Sequence, residues 1–541
     1  MKVSYIAINA KYIHTNSAVR ILHQLSCRSY DSIFFEFTIK DNINYIIQKI
    51  LDNNPDIVGF SCYLWNIEIV VKICKLIKTI KPDIKIILGG PEVSYDTRNF
   101  IKFDFIDYVI SGDGEVTILE LLSCIKDNKI VNISSVATKN NLSAKPKYIE
   151  SFMEVPSIID LYSEDDIKNK IIYLETSRGC PFNCSYCLSS VESNKLRYLP
   201  LEEVFSQIDY FINKNARNIK FLDRTSNSNE ERFLKIIQYI ERKNCNQVFQ
   251  FEVAADILSN KMVDYLSNIV KKGIIRLEIG IQSTNDLSNK SVNRISNIPK
   301  LFDKIRTIQR GNRVTIHVDL IAGLPHEDIN SFIKSFNETF YLYCAEFQLG
   351  FLKLLRGTPI KLEAYVHEYE FSFSPPYEII SNKYLTKNDL LRIKHCEEAL
   401  EKFWNSFRAQ KTLRKVIESK KINPFIFFEK LGEKILKDAR YQENDFYVIL
   451  NDYLLSLKIN EVDLLKEEYL KRYKIRPIRF WGTEIIKPSI LKKEIQKMNL
   501  IPNKYLQNAF VTSIKRGYLI ITYINNNPEL LKLVDNKFIN I

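Results

Sequence analysis

Short apolar runs alternating with stretches of helical periodicity fill the chain from Lys2 to Leu352, and that rhythm restricts it to parallel sheets flanked by helices. The first five runs read as strands over Lys2–Asn9, Ser32–Ile39, Asp56–Cys62, Lys85–Leu88 and Asp107–Ile110. Between them, Ser17–Leu25, Ile43–Leu51 and Ile67–Ile80 read as helices. Five strands in this order fit an α/β, flavodoxin-like (Rossmann-like) doubly wound sheet, whose ligand crevice lies beyond the strand C-termini. The turns holding Gly89, Gly90, Gly112 and Gly114 fall at that edge.

A polar connector, 126–169, separates this series from a second one. There the strands are expected over Ile171–Thr176, Ile219–Asp223, Val248–Val253, Ile275–Ile279, Val314–Ile321 and Ala345–Leu352. The helices are expected over Leu201–Ile212, Glu230–Arg242, Lys261–Lys271, Pro299–Arg310 and Asp328–Phe340. Six βα units predict a partial (β/α)6 TIM-like barrel over 170–376, with its chemistry at the C-terminal ends of the strands. Residues 377–541 turn mainly helical, aromatic and basic, and are read as a separate domain.

Charge is unevenly spread. The chain carries a formal +13, and the segment from Tyr377 onward holds 31 Lys and Arg against 20 Asp and Glu. Such a local basic excess predicts an anionic partner or a plain solvated surface. Nucleic acid is an open partner class, and Arg476-Pro477-Ile478-Arg479-Phe480-Trp481-Gly482 interleaves basic and aromatic residues as strand-binding clefts do, but no DNA-binding motif supports it. No apolar run reaches the ~18–20 residues of a membrane helix. The start shows no basic stretch followed by an apolar core, so no membrane association and a cytoplasmic location are expected.

Seven of the ten cysteines are scattered, most in apolar surroundings. The other three stand directly after the first strand of the second series, in Thr176-Ser177-Arg178-Gly179-Cys180-Pro181-Phe182-Asn183-Cys184-Ser185-Tyr186-Cys187. Thiolates are soft ligands suited to iron–sulfur clusters and zinc. A structural zinc site needs a fourth ligand, and no fourth Cys or His is near in sequence. Three thiolates on one loop would leave one iron of a [4Fe–4S] cluster open to a substrate-like ligand.

Cys180, Cys184 and Cys187, with aromatic Tyr186 before the third, resemble the signature of the radical S-adenosylmethionine (SAM) superfamily. The resemblance implies a [4Fe–4S] cluster whose open iron chelates SAM, reductive cleavage to a 5′-deoxyadenosyl radical, and hydrogen abstraction from a substrate. It also implies a reductant such as flavodoxin or ferredoxin. By the same resemblance Asp223 (in place of the family's Gly-Gly-Glu turn), Glu252, Glu278, Gln282, Ser283 and Leu324 are SAM contacts.

The doubly wound domain ahead of the barrel resembles the cobalamin (B12)-binding branch of the superfamily. Gly89, Gly90, Gly112 and Gly114 are the implied cobalamin contacts, and Cys62-Tyr63-Leu64-Trp65 faces either the corrin or the barrel. No histidine stands in an Asp-x-His-x2-Gly loop, so the cobalamin is expected without a histidine lower ligand. Lys11-Tyr12-Ile13-His14 together with Asp223-Arg224-Thr225 resembles a subgroup with an extra C-terminal domain of uncharacterised role.

The branch implies methyl transfer to an unactivated carbon of an unknown substrate. The alternatives are ring formation or rearrangement without methyl transfer, a tRNA methylthiotransferase-like enzyme, and a non-catalytic cobalamin or Fe–S sensor. The methylthiotransferase reading needs a second cluster from Cys27, Cys62, Cys74 and Cys124, and these do not all sit at strand ends.

Overall fold

A computed structural model describes residues 1–191, 195–438, 442–475, 487–500, 502, 505–506, 508–524, 527–535 and 537–540. The basic–aromatic segment Arg476–Gly482 lies outside them. The chain divides into two compact units, one of 1–331 with 350–386 and one of 332–349 with 387–541.

The first unit opens with a six-stranded sheet. Its strands are β1 (Lys2–Asn9), β2 (Asp31–Thr38), β3 (Ile57–Ser61), β4 (Lys85–Gly89), β5 (Tyr108–Ile110) and β6 (Val136–Ala137). Their spatial order is β2-β1-β3-β4-β5-β6, the flavodoxin-like arrangement with β6 added. The first five are parallel, and β6 runs antiparallel to β5. That sixth strand falls in the stretch read as connector, because two residues carry no period that sequence reasoning can detect. Ile6, Val58 and Ile86 face one apolar layer, while Val3, Ile57 and Ile87 face another. Burial on both faces is why β1 and β3 read as unbroken apolar runs.

A second sheet follows, with strands β7 (Ile172–Leu174), β8 (Asn218–Phe221), β9 (Val248–Glu252), β10 (Ile275–Gln282), β11 (Thr315–Ala322) and β12 (Glu346–Phe351). They neighbour one another in chain order, and β7 does not pair with β12, so the barrel is open. Burial alternates strictly along β10: Ile275, Leu277, Ile279 and Ile281 are buried, while Arg276, Glu278, Gly280 and Gln282 on the opposite face are half-buried. The concave face of this sheet is therefore polar, not the apolar filling of a closed TIM barrel. β7 is three residues shorter than expected, because the Thr176 amide leaves the ladder for the Asp223 carboxylate, 2.7 Å away. The helix expected over Lys261–Lys271 is a short α-turn, Asn260–Asp264, that widens into a π-turn over Tyr265–Ile269.

The second unit holds helices over Lys387–Ala399, Gln410–Lys420, Pro424–Asp438, Glu443–Ser456, Val462–Tyr473 and Pro488–Lys497. The expectation of a mainly helical end needs one addition. The strands Phe510–Ile514, Gly517–Ile524, Asn527–Val534 and Lys537–Asn540 form an antiparallel sheet. Val511, Ile520, Leu531 and Leu533 pack there with Leu491 and Ile495. Among the described residues, no helix is long and apolar enough to cross a membrane.

Candidate active site

The loop after β7 is fixed from both sides before it reaches the first cysteine. Asp223, at the end of β8, is 4% exposed and accepts from the Thr176 amide, the Thr176 hydroxyl (2.5 Å) and the Ser177 amide (2.9 Å). Burial pushes its carboxyl up, although these hydrogen bonds oppose the shift. Gly179 sits at φ +95°, and a Cβ there would come within 2.8 Å of the Lys195 carbonyl, so only glycine suits the turn. Farther along, the Ser185 amide donates to the Val292 carbonyl at 2.9 Å and the Ile360 amide donates to the Ser185 carbonyl at 3.1 Å.

The three cysteines open onto a pocket of about 190 Å3. Cys180 and Cys184 are 9% and 7% exposed, and the Cys180 sulfur is 3.5 Å from the Thr225 hydroxyl. Tyr186, Glu252, Glu278 and Gln282 line the same pocket. Burial, with Glu278 adding to it, raises the Glu252 carboxyl to about 7. Burial pushes Glu278 the same way, but Lys220 at 2.9 Å outweighs it and holds that carboxyl below its ordinary value.

Three other expected contacts are not in the pocket lining. The Asp223 carboxylate accepts from the Thr176 and Ser177 amides and the Thr176 hydroxyl, so it anchors the loop and is not among the pocket-lining contacts expected for SAM. Ser283 is fully buried and donates to Glu327 at 2.6 Å. Leu324 is fully buried as well. The alternation along β10 sets this division, since Gln282 shares the face of Glu278 and Gly280 and Ser283 falls on the buried one; Gln282 itself sits at φ +69°, beside a register shift in the ladder.

Arg294 lines the pocket and escaped the sequence reading. Its Nη1 is 3.3 Å from the Tyr186 hydroxyl and 3.9 Å from the Cys184 sulfur, and its Nη2 donates to the Gly280 carbonyl. Burial acts to lower its pKa, but Tyr186 and Cys184 outweigh it and the guanidinium is held firmly charged. Its Nε and the Gln282 Oε1 are both buried without a hydrogen-bond partner. An unpaired donor and an unpaired acceptor facing one pocket suit a ligand with a carboxylate and an ammonium or hydroxyl. Asp319 also lines the pocket.

Glu278, His317 and Asp319 bring one ligand atom each within 4.8 Å of one another. Lys220 already stands on Glu278, and Arg276 Nη2 is 3.4 Å from His317 Nδ1. Two cations beside the trio make it an ion-pair network, not a dication site.

At the end of β3, Tyr63 and Trp65 stack at 4.5 Å with planes 5° apart, and Trp65 is 44% exposed. Cys62 is fully buried, with its sulfur turned back to the Phe60 carbonyl, so it does not face a ligand. Gly89 leaves open room, its nearest heavy atom to an added Cβ being 4.0 Å away. The other three glycines answer to their own chain. A Cβ on Gly90 would meet the Cys62 carbonyl at 2.6 Å, one on Gly112 the Lys147 carbonyl at 2.1 Å, and one on Gly114 Leu22 at 3.1 Å. His14 shares a 2.7 Å hydrogen bond through Nδ1 with the Tyr173 hydroxyl.

Three family models match successive stretches of the chain: the B12 binding domain over 3–122, the radical SAM superfamily over 174–338, and Protein of unknown function (DUF4080) over 366–517. The chain therefore carries a B12 binding domain followed by a radical SAM domain, with the DUF4080 region after them. Among curated relatives, the cobalamin-dependent radical SAM methyltransferase TokK of Streptomyces tokunonensis is 24% identical over 310 residues. That match covers 53% of this chain and only 45% of TokK. The uncharacterized methyltransferase PH0819 of Pyrococcus horikoshii is 22% identical over 77% of this chain and 88% of its own. A solved structure of the cobalamin-dependent SAM radical enzyme OxsB with aqua-cobalamin bound superposes with TM-score 0.58 at 18% identity. It covers 93% of this chain and 81% of OxsB, which shows a shared fold.

The four cysteines of the N-terminal domain differ in their surroundings. Cys62 and Cys74 are fully buried and burial pushes both thiols up, while Cys27 is exposed.

Proposed function

We propose that the chain is a cobalamin-dependent radical SAM enzyme, most directly a methyltransferase acting on an unactivated carbon. The observation that carries this reading is the single pocket shared by Cys180, Cys184 and Cys187 with an unpaired guanidinium nitrogen and an unpaired amide oxygen. Three thiolates, with no fourth cysteine and no histidine among the described residues lining the pocket, fit a [4Fe–4S] cluster with one open iron. Such a cluster, with SAM and cobalamin, supplies the one-electron cleavage and the methyl carrier that carbon methylation needs.

The chain's own residues then bind, orient and shield. Arg294 offers its fork to the SAM carboxylate, and Gln282 Oε1 accepts from the ammonium or a ribose hydroxyl. Glu252 and Asp319 supply further acceptors on the same wall. In the N-terminal domain, the Tyr63–Trp65 stack and the open Gly89 backbone fit the flat face of a corrin. Reduction requires an external donor, for which a flavodoxin or ferredoxin is the apt class.

The deciding experiment is anaerobic reconstitution with iron, sulfide and hydroxocobalamin, followed by SAM and dithionite. Formation of both 5′-deoxyadenosine and S-adenosylhomocysteine, with retained corrin absorbance, supports the methyltransferase. 5′-Deoxyadenosine without corrin retention leaves a radical SAM enzyme of another reaction type. A Cys180→Ala, Cys184→Ala, Cys187→Ala variant that holds as much iron as the wild type would remove the reading altogether.

A further inference from the structure

Two residues ahead of Cys180, Arg178 is only 13% exposed and faces three carboxylates. Glu175 receives it through two hydrogen bonds of 2.8 Å. The other two come from the N-terminal domain: Glu115 at 2.7 Å and Asp113 at 3.3 Å. Both belong to the Gly112-Asp113-Gly114-Glu115 turn at the end of β5. The turn itself is pinned, since Gly112 adopts φ +87° against Lys147 and Asp113 accepts from the Ile149 amide at 2.9 Å. A rigid turn of one domain therefore grips the rigid loop that carries the cysteines of the other.

The domain has a second grip of the same construction whose side chains do not pair with the cysteine loop; the segment that carries it meets that loop at one backbone bond, from the Ile360 amide to the Ser185 carbonyl. Arg356 reaches Glu92 at 2.8 Å and also pairs with Asp96, and the Tyr377 hydroxyl donates to Glu92. Glu92 belongs to the Gly89-Gly90-Pro91-Glu92 turn at the end of β4.

We propose that Arg178 is a positioning residue through which seating of the N-terminal domain sets the geometry of the Cys180–Cys187 loop, whereas the Arg356 grip only fastens the domain. The loop is held on its barrel side by Asp223 and on its outer side by Arg178. A guanidinium among three carboxylates fixes orientation as well as charge, because its planar fork binds them in defined directions. The inference rests on the radical SAM reading for its consequence, but its test does not need a cluster.

The test compares Glu115→Gln with Glu92→Gln in the full chain. In apo protein under reducing conditions, iodoacetamide labelling of Cys180, Cys184 and Cys187 is followed by peptide mass spectrometry. Glu115→Gln is expected to speed labelling of this loop by about fivefold, and Glu92→Gln to leave it at the wild-type rate. Arg178→Gln should match or exceed Glu115→Gln, with Arg178→Lys between it and the wild type. In reconstituted protein, Glu115→Gln should also shift the g values of the reduced cluster while Glu92→Gln does not. Equal labelling rates in the two Gln variants overturn the proposal, as does a loop that labels at the wild-type rate in Glu115→Gln. Wild-type protein that takes up no iron refutes the radical SAM reading instead, and the labelling comparison still decides the role of Arg178.

Discussion

Arg294 follows Cys184 by 110 residues, yet its Nη1 lies 3.9 Å from the Cys184 sulfur. The contact spans the barrel, from the loop after β7 to the segment after β10. It gives the cysteine pocket a fixed positive charge, which attracts an anionic group of a ligand. Replacing Arg294 with methionine should weaken SAM binding to the reconstituted protein by about 10- to 100-fold, the range for one charge-assisted hydrogen bond. Arg294→Lys should recover only part, since an ammonium has no fork. Calorimetric titration with SAM measures both, and unchanged affinity in Arg294→Met would remove the residue from the site.

Gly280 has no room for a side chain. A Cβ there would stand 2.2 Å from Gln282 Nε2 and 3.5 Å from Arg294 Nη2. Gly280→Ala should push the Gln282 amide out of place, while Arg294 Nη2 stays in ordinary contact, and lower SAM affinity several-fold. The thermal transition should move little, because Gln282 is a side-chain end free to turn. A SAM affinity equal to wild type would show that the Gln282 amide does not contact the ligand.

Glu252 makes stability depend on pH in a defined direction. Its carboxyl is raised from 4.5 to about 7, so between those values the folded chain keeps a proton that the unfolded chain has released. Stability therefore falls as the pH rises through that window and levels off above it. Against Glu252→Gln, the wild type should be equal near pH 4.5 and weaker by up to about 3 kcal/mol at neutral pH. Urea midpoints of the two proteins across the window check this, and parallel curves would contradict it.

Arg20 is 2% exposed and joins Glu36 at 2.6 Å to Asp166 at 2.9 Å, with its guanidinium 4.3 Å from the centre of the Tyr162 ring. Removing the cation leaves two buried carboxylates without it, which costs about 3–5 kcal/mol. Arg20→Met should lower the urea midpoint of the first unit accordingly. Asp166→Asn should cost less, because Arg20 keeps Glu36. Equal losses in the two variants would mean that the trio does not act as a charge-compensated unit.

Much of this protein is written in local pattern. The βα periods follow from strands buried on one or both faces and from helices with one apolar side, and such periods survive in sequence without knowledge of the partner. The Cys180–Cys187 spacing is equally local, since three ligands on one short loop need no distant residue to be recognised. Glu252 and Gln282 were legible because they stand at strand ends, where an open α/β sheet presents its side chains.

What the tertiary structure decided is where carboxylates and cations meet. Asp223 stands at a strand end like the pocket acids, yet it anchors the Thr176–Ser177 backbone, because two amides and a hydroxyl of a neighbouring strand reach it first. Ser283 and Gln282 are adjacent and fall on opposite faces, and only the Ser283–Glu327 contact shows which of the two is taken up inside the fold. Arg294 joins Cys184, and Arg178 joins Glu115, across separations that carry no period or spacing. Charge pairing depends on distances of a few ångströms, and a one-dimensional pattern fixes such distances only within a turn or two of the chain.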